Sequence, residues 1–330
     1  MIRIALDAMG GDHAPSETIK GAFLALDKYP NIEITFVGKQ DVIAHELKKY
    51  KKTSRTSVLH TSEVITTSEP PVAAIKQKKD SSLVKGVSLV KDNKADAFVS
   101  AGNTGALMAS AIFTLGRISG IERPALASRF PSKVGKVVLI DMGANVDCKP
   151  KQLVQFAKMG AIYSQYVLHV DDPRVGLVNI GEEPEKGNEL TISTYALLKE
   201  EKSLNFKGMM ESKEIFAGHI DVVVCDGFIG NLILKFGEST GTFIFEMLGS
   251  ELKSHPLAAF AALFLIPSLL RLKKTVDYDE FGGAELLGIN GVVVKAHGRA
   301  KSKAIMNAIR VAVESVQGKV VEYISRVGEV

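Results

Sequence analysis

The segment VVLIDMGANVDCKPKQLVQFAKMGAIYSQYVLHVDDPRVGLVNI, residues 137–180, decides the fold class. Its first residues, Val137–Ile140, form a short apolar run rich in β-branched side chains, which indicates a buried strand. The apolar spacing over Lys151–Leu168 predicts a helix, and a second buried strand follows at Val175–Ile180. A strand, a helix and a strand in this order are typical of a parallel sheet that is covered by helices.

The same alternation continues in both directions from this segment. Further strands are predicted at Ile2–Leu6, Ile32–Val37, Ala97–Ser100, Val222–Cys225 and Val292–Val294. Further helices are predicted at Pro15–Tyr29, Asp41–Tyr50, Thr104–Arg117 and Ser302–Arg326. The pattern therefore predicts an α/β fold in three layers, with a largely parallel sheet between two layers of helices. Because no repeat or long linker divides the chain, we expect one unit over residues 1–330 with two interleaved lobes.

Composition excludes several classes of protein. Apolar residues make up 46% and charged residues 24%, which excludes disorder, collagen and coiled coil as descriptions of the whole chain. The net charge of +4 is too small to indicate nucleic-acid binding, and no nucleic-acid partner is predicted. Cys148 and Cys225 cannot form a disulfide framework, which favours a reducing compartment. Since the N-terminus lacks the layout of a signal peptide, we expect a cytoplasmic protein.

Glycine-rich polar motifs follow most of the predicted strands. They are DAMGGD (7–12), SAGNTG (100–105), DMGANVD (141–147), NIGEE (179–183), DGFIGN (226–231) and GGAELLGING (282–291), with AHGR (296–299) after the last strand. A single motif of this kind is usually a turn that needs glycine. Ligands bind beyond the carboxyl ends of parallel strands, so we expect these motifs on one side of the sheet, around one site.

The turn at Ser100–Gly105 is the best candidate for an anion site. Its glycines allow a close approach of the backbone, and the following helix presents free N–H groups to a phosphate. The turn lacks the dinucleotide and nucleotide-triphosphate fingerprints. His297 is either an acid–base group, a phosphate ligand or a structural hydrogen-bonding side chain, and Cys225 is more typical of a buried apolar position than of a nucleophile.

The acidic and basic clusters can each be interpreted as structural or as functional. Asp7, Asp12, Asp141 and Asp147 match no metal-binding spacing, so no metal is predicted. The basic run Lys48–Arg55 is either a solvated helix end or a landing patch for an acidic protein.

One apolar segment interrupts the alternation, and we predict a helical hairpin over residues 251–279. Pro256–Leu270 carries no charge but is too short to cross a membrane, and Pro267 is expected to break its helix. The segment is either a buried or dimer-interface helix, or an element that enters a membrane surface beside its basic flanks. In the second case, the side chains in contact with the membrane are Leu257, Phe260, Leu263, Phe264, Leu265 and Leu269.

Taken together, the motifs resemble those of the acyl-carrier-protein:phosphate acyltransferase family, PlsX. The matching stretches are DAMGGD, SAGNTGALM, DMGANVD, NIGEE, CDGFIGN and GGAELLG, in order along almost the whole chain. The resemblance implies a fold like that of isocitrate and isopropylmalate dehydrogenases, shared with phosphate acetyltransferase, and a homodimer. It implies that inorganic phosphate attacks the thioester of a long-chain acyl-carrier protein, without a cofactor, to give acyl phosphate for phosphatidic acid synthesis.

This reaction suggests roles for the polar residues of the motifs. Because phosphate is itself the nucleophile, positioning and charge stabilisation suffice and no activated serine or cysteine is needed. The residues expected to bind substrate are Ser100, Asn103, Thr104, Gly105, Asp141, Asn145, Asp226, Gly227 and Lys295. The residues expected to act in catalysis are Asn179, Glu183, Lys186, Asn231 and His297.

Acyl phosphate is an amphiphile, so we expect the protein at the inner face of the cell membrane, in peripheral contact with anionic lipid and near a downstream membrane acyltransferase. Two other functions stay open. A decarboxylating dehydrogenase of the same fold would need an arginine cluster for its substrate, and the sequence shows none. A non-catalytic membrane scaffold would explain Pro256–Leu270 but not the polar motifs after the strands.

Overall fold

The computed structural model describes residues 1–254, 264–269, 271–272 and 282–328. Within these residues one sheet has the strand order β3-β2-β1-β4-β11-β10-β5-β6-β9-β7-β8. The strands are β1 Ile2–Asp7, β2 Ile32–Gly38, β3 Thr56–His60, β4 Ala97–Ser100, β5 Ala125–Ser132, β6 Gly135–Ile140, β7 Arg174–Val178, β8 Asn205–Met210, β9 Val222–Val224, β10 Ala284–Leu287 and β11 Val292–Lys295. The helices are α1 Ser16–Lys28, α2 Gln40–Leu47, α3 Pro71–Gln77, α4 Ser82–Lys91, α5 Thr104–Thr114, α6 Pro150–Leu168, α7 Glu189–Glu200, α8 Gly227–Ser254, α9 Ser302–Gln317 and α10 Val320–Gly328.

Apolar side chains on both faces of the sheet pack against helices, which confirms the predicted three layers. Leu139 and Val223 point to the face that α4, α5 and α8 cover. Their neighbours Ile140 and Val224 point to the opposite face, under α6. Since successive residues of a strand alternate between the two faces, a strand buried on both sides must be apolar throughout, as these are.

The sheet consists of two parallel groups that run in opposite directions. Strands β1, β2, β3, β4 and β11 run parallel to one another, and so do β6, β7, β8 and β9. Between the groups, β10 is antiparallel to both β11 and β5, and β5 is antiparallel to β6. These three successive reversals make the carboxyl ends of the two groups lie at opposite edges of the sheet.

The prediction that all the motifs lie on one side of the sheet is therefore wrong. Residues 7–12, 100–105 and 296–299 follow β1, β4 and β11 at what we call the first edge. Residues 141–147, 179–183 and 226–231 follow β6, β7 and β9 at the second edge. The pairing of β10, β5 and β6 causes the difference, because it reverses the strand direction in the middle of the sheet.

Helix α8 connects the two edges. It begins at the second edge, where the Gly227 N–H donates to the carbonyl oxygen of Asn145 at 2.7 Å. Leu234 is buried on the sheet, and the side chain of Lys235 reaches His297 at the first edge, with 3.3 Å between Lys235 Nζ and His297 Nε2. The outer face of the helix carries exposed apolar side chains at Phe228, Leu232, Phe236, Phe243 and Met247, which we call the apolar stripe.

The last predicted helix, Ser302–Arg326, is divided in the structure into α9 and α10. The break falls at Gly318 and Lys319, and Lys319 adopts a positive φ of 50°. The turn directs α10 onto α6, where the rings of Tyr166 and Tyr323 stack with centroids 3.5 Å apart. The packing of α10 on α6 thus overrides a helical pattern that continues through the break.

The predicted hairpin over residues 251–279 is described only in part. Residues 251–254 belong to α8, and residues 264–269 and 271–272 are helical. Pro267 lies among these helical residues, and the two arms of the predicted hairpin, which include residues 255–263 and 273–279, lie largely outside the described residues. Phe264 and Leu265 are exposed and Leu269 is half-buried, whereas Leu257, Phe260 and Leu263 lie outside the described residues. Among the described residues, no helix combines the length and apolar character needed to cross a membrane.

Candidate functional site

The first edge is organised around the buried carboxylate of Asp7. The Ser100 hydroxyl donates to Asp7 Oδ2 at 2.7 Å, and the Gly102 N–H donates to Ser100 Oγ at 3.0 Å. Burial raises the pKa of Asp7, against the opposing effect of these hydrogen bonds. Gly10 lies so close that a side chain there would overlap the carboxylate. The first two glycine motifs thus form one unit, and the hydroxyl of Ser100 is engaged within it.

The start of α5 lies beside this unit. Asn103 caps the helix by accepting from the Ala106 N–H at 3.0 Å. Its amide donates to the carbonyl oxygens of Thr66, Thr67 and Glu69 at 3.1–3.2 Å, so these donors hold the preceding loop in place. The groups left for a ligand are the exposed hydroxyl of Thr104 and the first N–H groups of the helix, which have no partner within it.

Gly105 has a packing role in the same turn. A side chain at this position would meet the ring of Pro71 at 2.5 Å, so glycine allows α3 and α5 to pack closely. Its backbone N–H still lies in the first turn of α5, together with that of Thr104. This pair of residues is the part of the predicted anion cradle that stays open to a ligand.

Lys295 lies beside the same turn in a group of basic residues, and we call Lys235, Lys295, His297 and Arg299 the basic cluster. Burial, together with the charge of Lys235, lowers the pKa of Lys295 to about 8, although Asp7 and Asp12 act in the opposite direction. Lys295 Nζ contacts the carbonyl oxygen of Ala296 and lies 3.5 Å from that of Ala101. The structure therefore brings Lys295 to the Ser100–Gly105 turn.

His297 is held as a neutral ring. Its Nδ1 accepts the Arg299 N–H at 3.1 Å, which places the proton of a neutral ring on Nε2. Burial and the charges of Lys235, Lys295 and Arg299 lower its pKa. His297 Nε2 lies 3.3 Å from Lys235 Nζ, so the ring and this ammonium group are adjacent in the basic cluster.

Sequence reasoning missed Lys235 and its neighbour Glu238. Lys235 pairs with Glu238 at 3.0 Å one turn later on α8. The interval between Lys235 and His297 is 62 residues, and no spacing rule connects them. The sequence does place Lys235 and Glu238 three residues apart, shortly after the DGFIGN motif. Because such Lys–Glu pairs are common on solvated helices, this pair does not by itself indicate a site.

At the second edge, the polar side chains are mostly engaged by the protein's own backbone. The fully buried carboxylate of Asp141 accepts the N–H groups of Leu126, Ala144 and Asn145 at 2.7–3.0 Å. The Asn145 side chain also donates to it at 2.9 Å. Burial raises the pKa of Asp141, while these bonds lower it. Asp141 and Asn145 thus build the turn after β6.

The same edge holds the start of α8. The Asp226 carboxylate accepts the Ile229 N–H at 2.8 Å, and Gly227 bonds to Asn145 as described above. A side chain at Gly230 would overlap the carbonyl oxygen of Asp141. Asn231 is exposed beside Gly143, so it keeps an amide that a ligand can reach.

Asn179, Glu183 and Lys186 form a separate exposed turn after β7. The Asn179 amide donates to the carbonyl oxygens of Gly181 and Lys186 at 3.0 and 2.8 Å. Glu183 pairs with Lys186 at 2.8 Å, which lowers the pKa of the former and raises that of the latter. Four strands separate β7 from β11, and the two strands end at opposite edges. The structure does not bring this turn together with His297.

Comparison with known proteins identifies the family of this chain. The family model described as "Fatty acid synthesis protein" matches residues 2–323. A phosphate acyltransferase of Halothermothrix orenii is 50% identical over 327 residues, which cover 98% of each chain. The chain belongs to the phosphate acyltransferase family. A putative phosphate acyltransferase of Clostridium perfringens is 51% identical over 94% of this chain and 92% of its own.

Members of this family are enzymes that transfer acyl groups, and this chain is therefore an acyltransferase. Solved structures of lower identity show the fold. A phosphotransacetylase from Streptococcus pyogenes has a TM-score of 0.66 at 14% identity, covering 97% of this chain and 94% of that one. A 4-hydroxythreonine-4-phosphate dehydrogenase from Klebsiella pneumoniae has a TM-score of 0.57 at 13% identity, covering 96% and 100%. These confirm the predicted fold class.

Proposed function

We propose that this phosphate acyltransferase moves a long-chain fatty acyl group from the thioester of an acyl-carrier protein to inorganic phosphate, which supplies acyl phosphate for phosphatidic acid synthesis. The observation that carries the proposal is the position of the basic cluster beside the open start of α5. Lys295 Nζ lies 3.5 Å from the Ala101 carbonyl oxygen just before this helix, and Lys235 lies 3.3 Å from His297 in the same cluster, a set of side chains suited to a phosphate dianion. The names of the relatives support phosphate as the acceptor.

In this proposal, phosphate lies between the basic cluster and the start of α5. One of its oxygens attacks the thioester carbonyl, so that the new C–O bond forms and the C–S bond then breaks. The hydrogen of monohydrogen phosphate ends on the sulfur, which leaves acyl phosphate and the free thiol. Lys295 and His297 stabilise the negative charge that builds up on the transferred oxygens. Because phosphate is the nucleophile, no side chain needs to form a covalent intermediate.

The carbonyl side of the site is assigned to the beginning of α8. We propose that the exposed side-chain amide of Asn231, which lies one helical turn before Lys235 on α8, donates to the oxyanion of the tetrahedral intermediate. The assignment of Asn179, Glu183 and Lys186 to this centre has no geometric support, because their turn lies at the second edge beyond β9. We therefore propose no contact between these three side chains and phosphate.

A homodimer is part of the proposal, with the apolar stripe of α8 as its interface. Exposed apolar residues continue along the helix over several turns, and patches of this kind mark interaction sites. The variant Phe236→Glu, Phe243→Glu should become monomeric in sedimentation velocity. A variant that stays dimeric would place the interface elsewhere.

Peripheral contact with the anionic inner face of the membrane completes the proposal and would deliver acyl phosphate to a membrane acyltransferase. Phe264 and Leu265 are 75% and 51% exposed, next to the basic residue Arg271. The variant Phe264→Glu, Leu265→Glu should lose flotation with anionic liposomes while it keeps its activity with dispersed substrate and its mass. Flotation at the wild-type level would refute this contact.

The reaction itself is tested with purified protein, palmitoyl-carrier protein and phosphate, with EDTA present to remove metal ions. We expect acyl phosphate, trapped as the hydroxamate, and release of the carrier thiol in equal amounts. Omission of phosphate is the matched control. Thiol release without acyl phosphate would indicate a hydrolase, and no thiol release would reject the proposal. Only the fold connects the chain to dehydrogenases, so we propose no redox activity.

A further inference from the structure

Glu238 has one carboxylate oxygen without a hydrogen-bond partner. Its Oε2 pairs with Lys235 Nζ at 3.0 Å. Its Oε1 is closed to solvent and, among the described residues, receives no donor. A charged acceptor that is removed from water without a donor is unfavourable, so the position favours a ligand that supplies one.

The surroundings restrict what this ligand can be. The charge of Glu238 raises the pKa of His297, whereas the charges of Lys235, Lys295 and Arg299 lower it. The charges of Asp7 and Asp12 raise the pKa of Lys295. The cations require a negatively charged ligand, whereas the free oxygen of Glu238 requires a ligand that carries a hydrogen. Monohydrogen phosphate meets both requirements. Sulfate has the same shape and charge but carries no hydrogen at neutral pH.

We propose that Glu238 makes the site specific for phosphate over sulfate, because its Oε1 accepts the P–O–H hydrogen of the bound dianion. The inference rests on the proposed function, since it places phosphate at the basic cluster. Within the described part of the chain, Lys235 pairs with Oε2 and leaves Oε1 without a donor, and the 22% exposed side chain of Glu238 presents Oε1 to the dianion by a rotation of its carboxylate. Sulfate places a bare oxygen against the carboxylate and is repelled.

The test compares two dianions at about pH 8, where the phosphate second ionisation is nearly complete. The KM for phosphate and the competitive Ki of sulfate are measured in acyl phosphate formation, and both anions are titrated calorimetrically without acyl carrier. In Glu238→Gln the amide can donate to sulfate, so the ratio of sulfate Ki to phosphate KM should fall about 10²-fold. Glu238→Ala removes the acceptor without adding a donor and should lower the ratio by less.

Two controls separate this role from simple positioning of Lys235. Lys235→Met should weaken phosphate and sulfate by the same factor, since both dianions use its charge. Glu246→Gln changes an exposed carboxylate further along α8 and should leave the ratio unchanged. An unchanged ratio in Glu238→Gln, or an equal fall in Lys235→Met, overturns the inference. If the wild type forms no acyl phosphate, the proposed function fails, and the calorimetric ratio still decides whether Glu238 selects phosphate.

Discussion

The two edges of the sheet carry similar motifs but use them differently. At the second edge, the side chains of Asp141 and Asn145 are hydrogen-bonded to each other, and the Asp141 carboxylate also accepts nearby backbone N–H groups. At the first edge, Lys295 lies beside the turn that opens α5, and Lys235 and His297 lie 3.3 Å apart in the same basic cluster. A glycine-rich polar motif therefore does not mark a ligand site by itself. The partners of its polar atoms decide between a turn and a binding site.

The largest effect expected from this difference is at Lys295. Lys295→Met keeps the length of the side chain but removes its charge, so kcat/KM for phosphate should fall by about 10²–10³. The matched control is Lys186→Met at the second edge, which should leave the rate nearly unchanged. Both rates are measured by acyl phosphate formation, with thermal unfolding as a check on folding. Equal losses of kcat/KM in the two variants would contradict the assignment of phosphate binding to the first edge alone.

The second prediction concerns stability rather than rate. Asp141→Asn turns an amide toward N–H groups that the carboxylate now accepts, and it should lower the free energy of unfolding by about 2–3 kcal/mol. The activity of the folded fraction should change little. Urea unfolding followed by circular dichroism measures the first quantity. Full stability with lost activity would instead make Asp141 a substrate-binding residue.

The smallest effect is a dependence on pH. Lys295 has a pKa of about 8 in the folded protein, so it loses its positive charge as the pH rises through that value. The KM for phosphate should then increase about tenfold for each further pH unit. In Lys295→Arg, the guanidinium stays protonated, and this increase should move to higher pH. An alkaline limb that is identical in both proteins would assign the titration to another group.

The elements of the fold could be predicted from sequence, because buried strands such as Val137–Ile140 and Val222–Val224 carry a local signal. The direction of the strands could not, because it depends on β10 pairing with β5, residues that are far apart in the chain. The role of Asn103 was hidden for the same reason. Its amide bonds to carbonyl groups more than 30 residues earlier, and no local pattern reveals that its donors are already used.

Helix α8 has 28 residues and, at 1.5 Å per residue, is about 42 Å long. Its first third carries Lys235 into the basic cluster, and the apolar stripe runs along its outer face from Phe228 to Met247. A tilt of this rod caused by a contact on the stripe also displaces the ammonium group of Lys235. A partner that shifts α8 through this stripe would therefore also move Lys235 relative to His297.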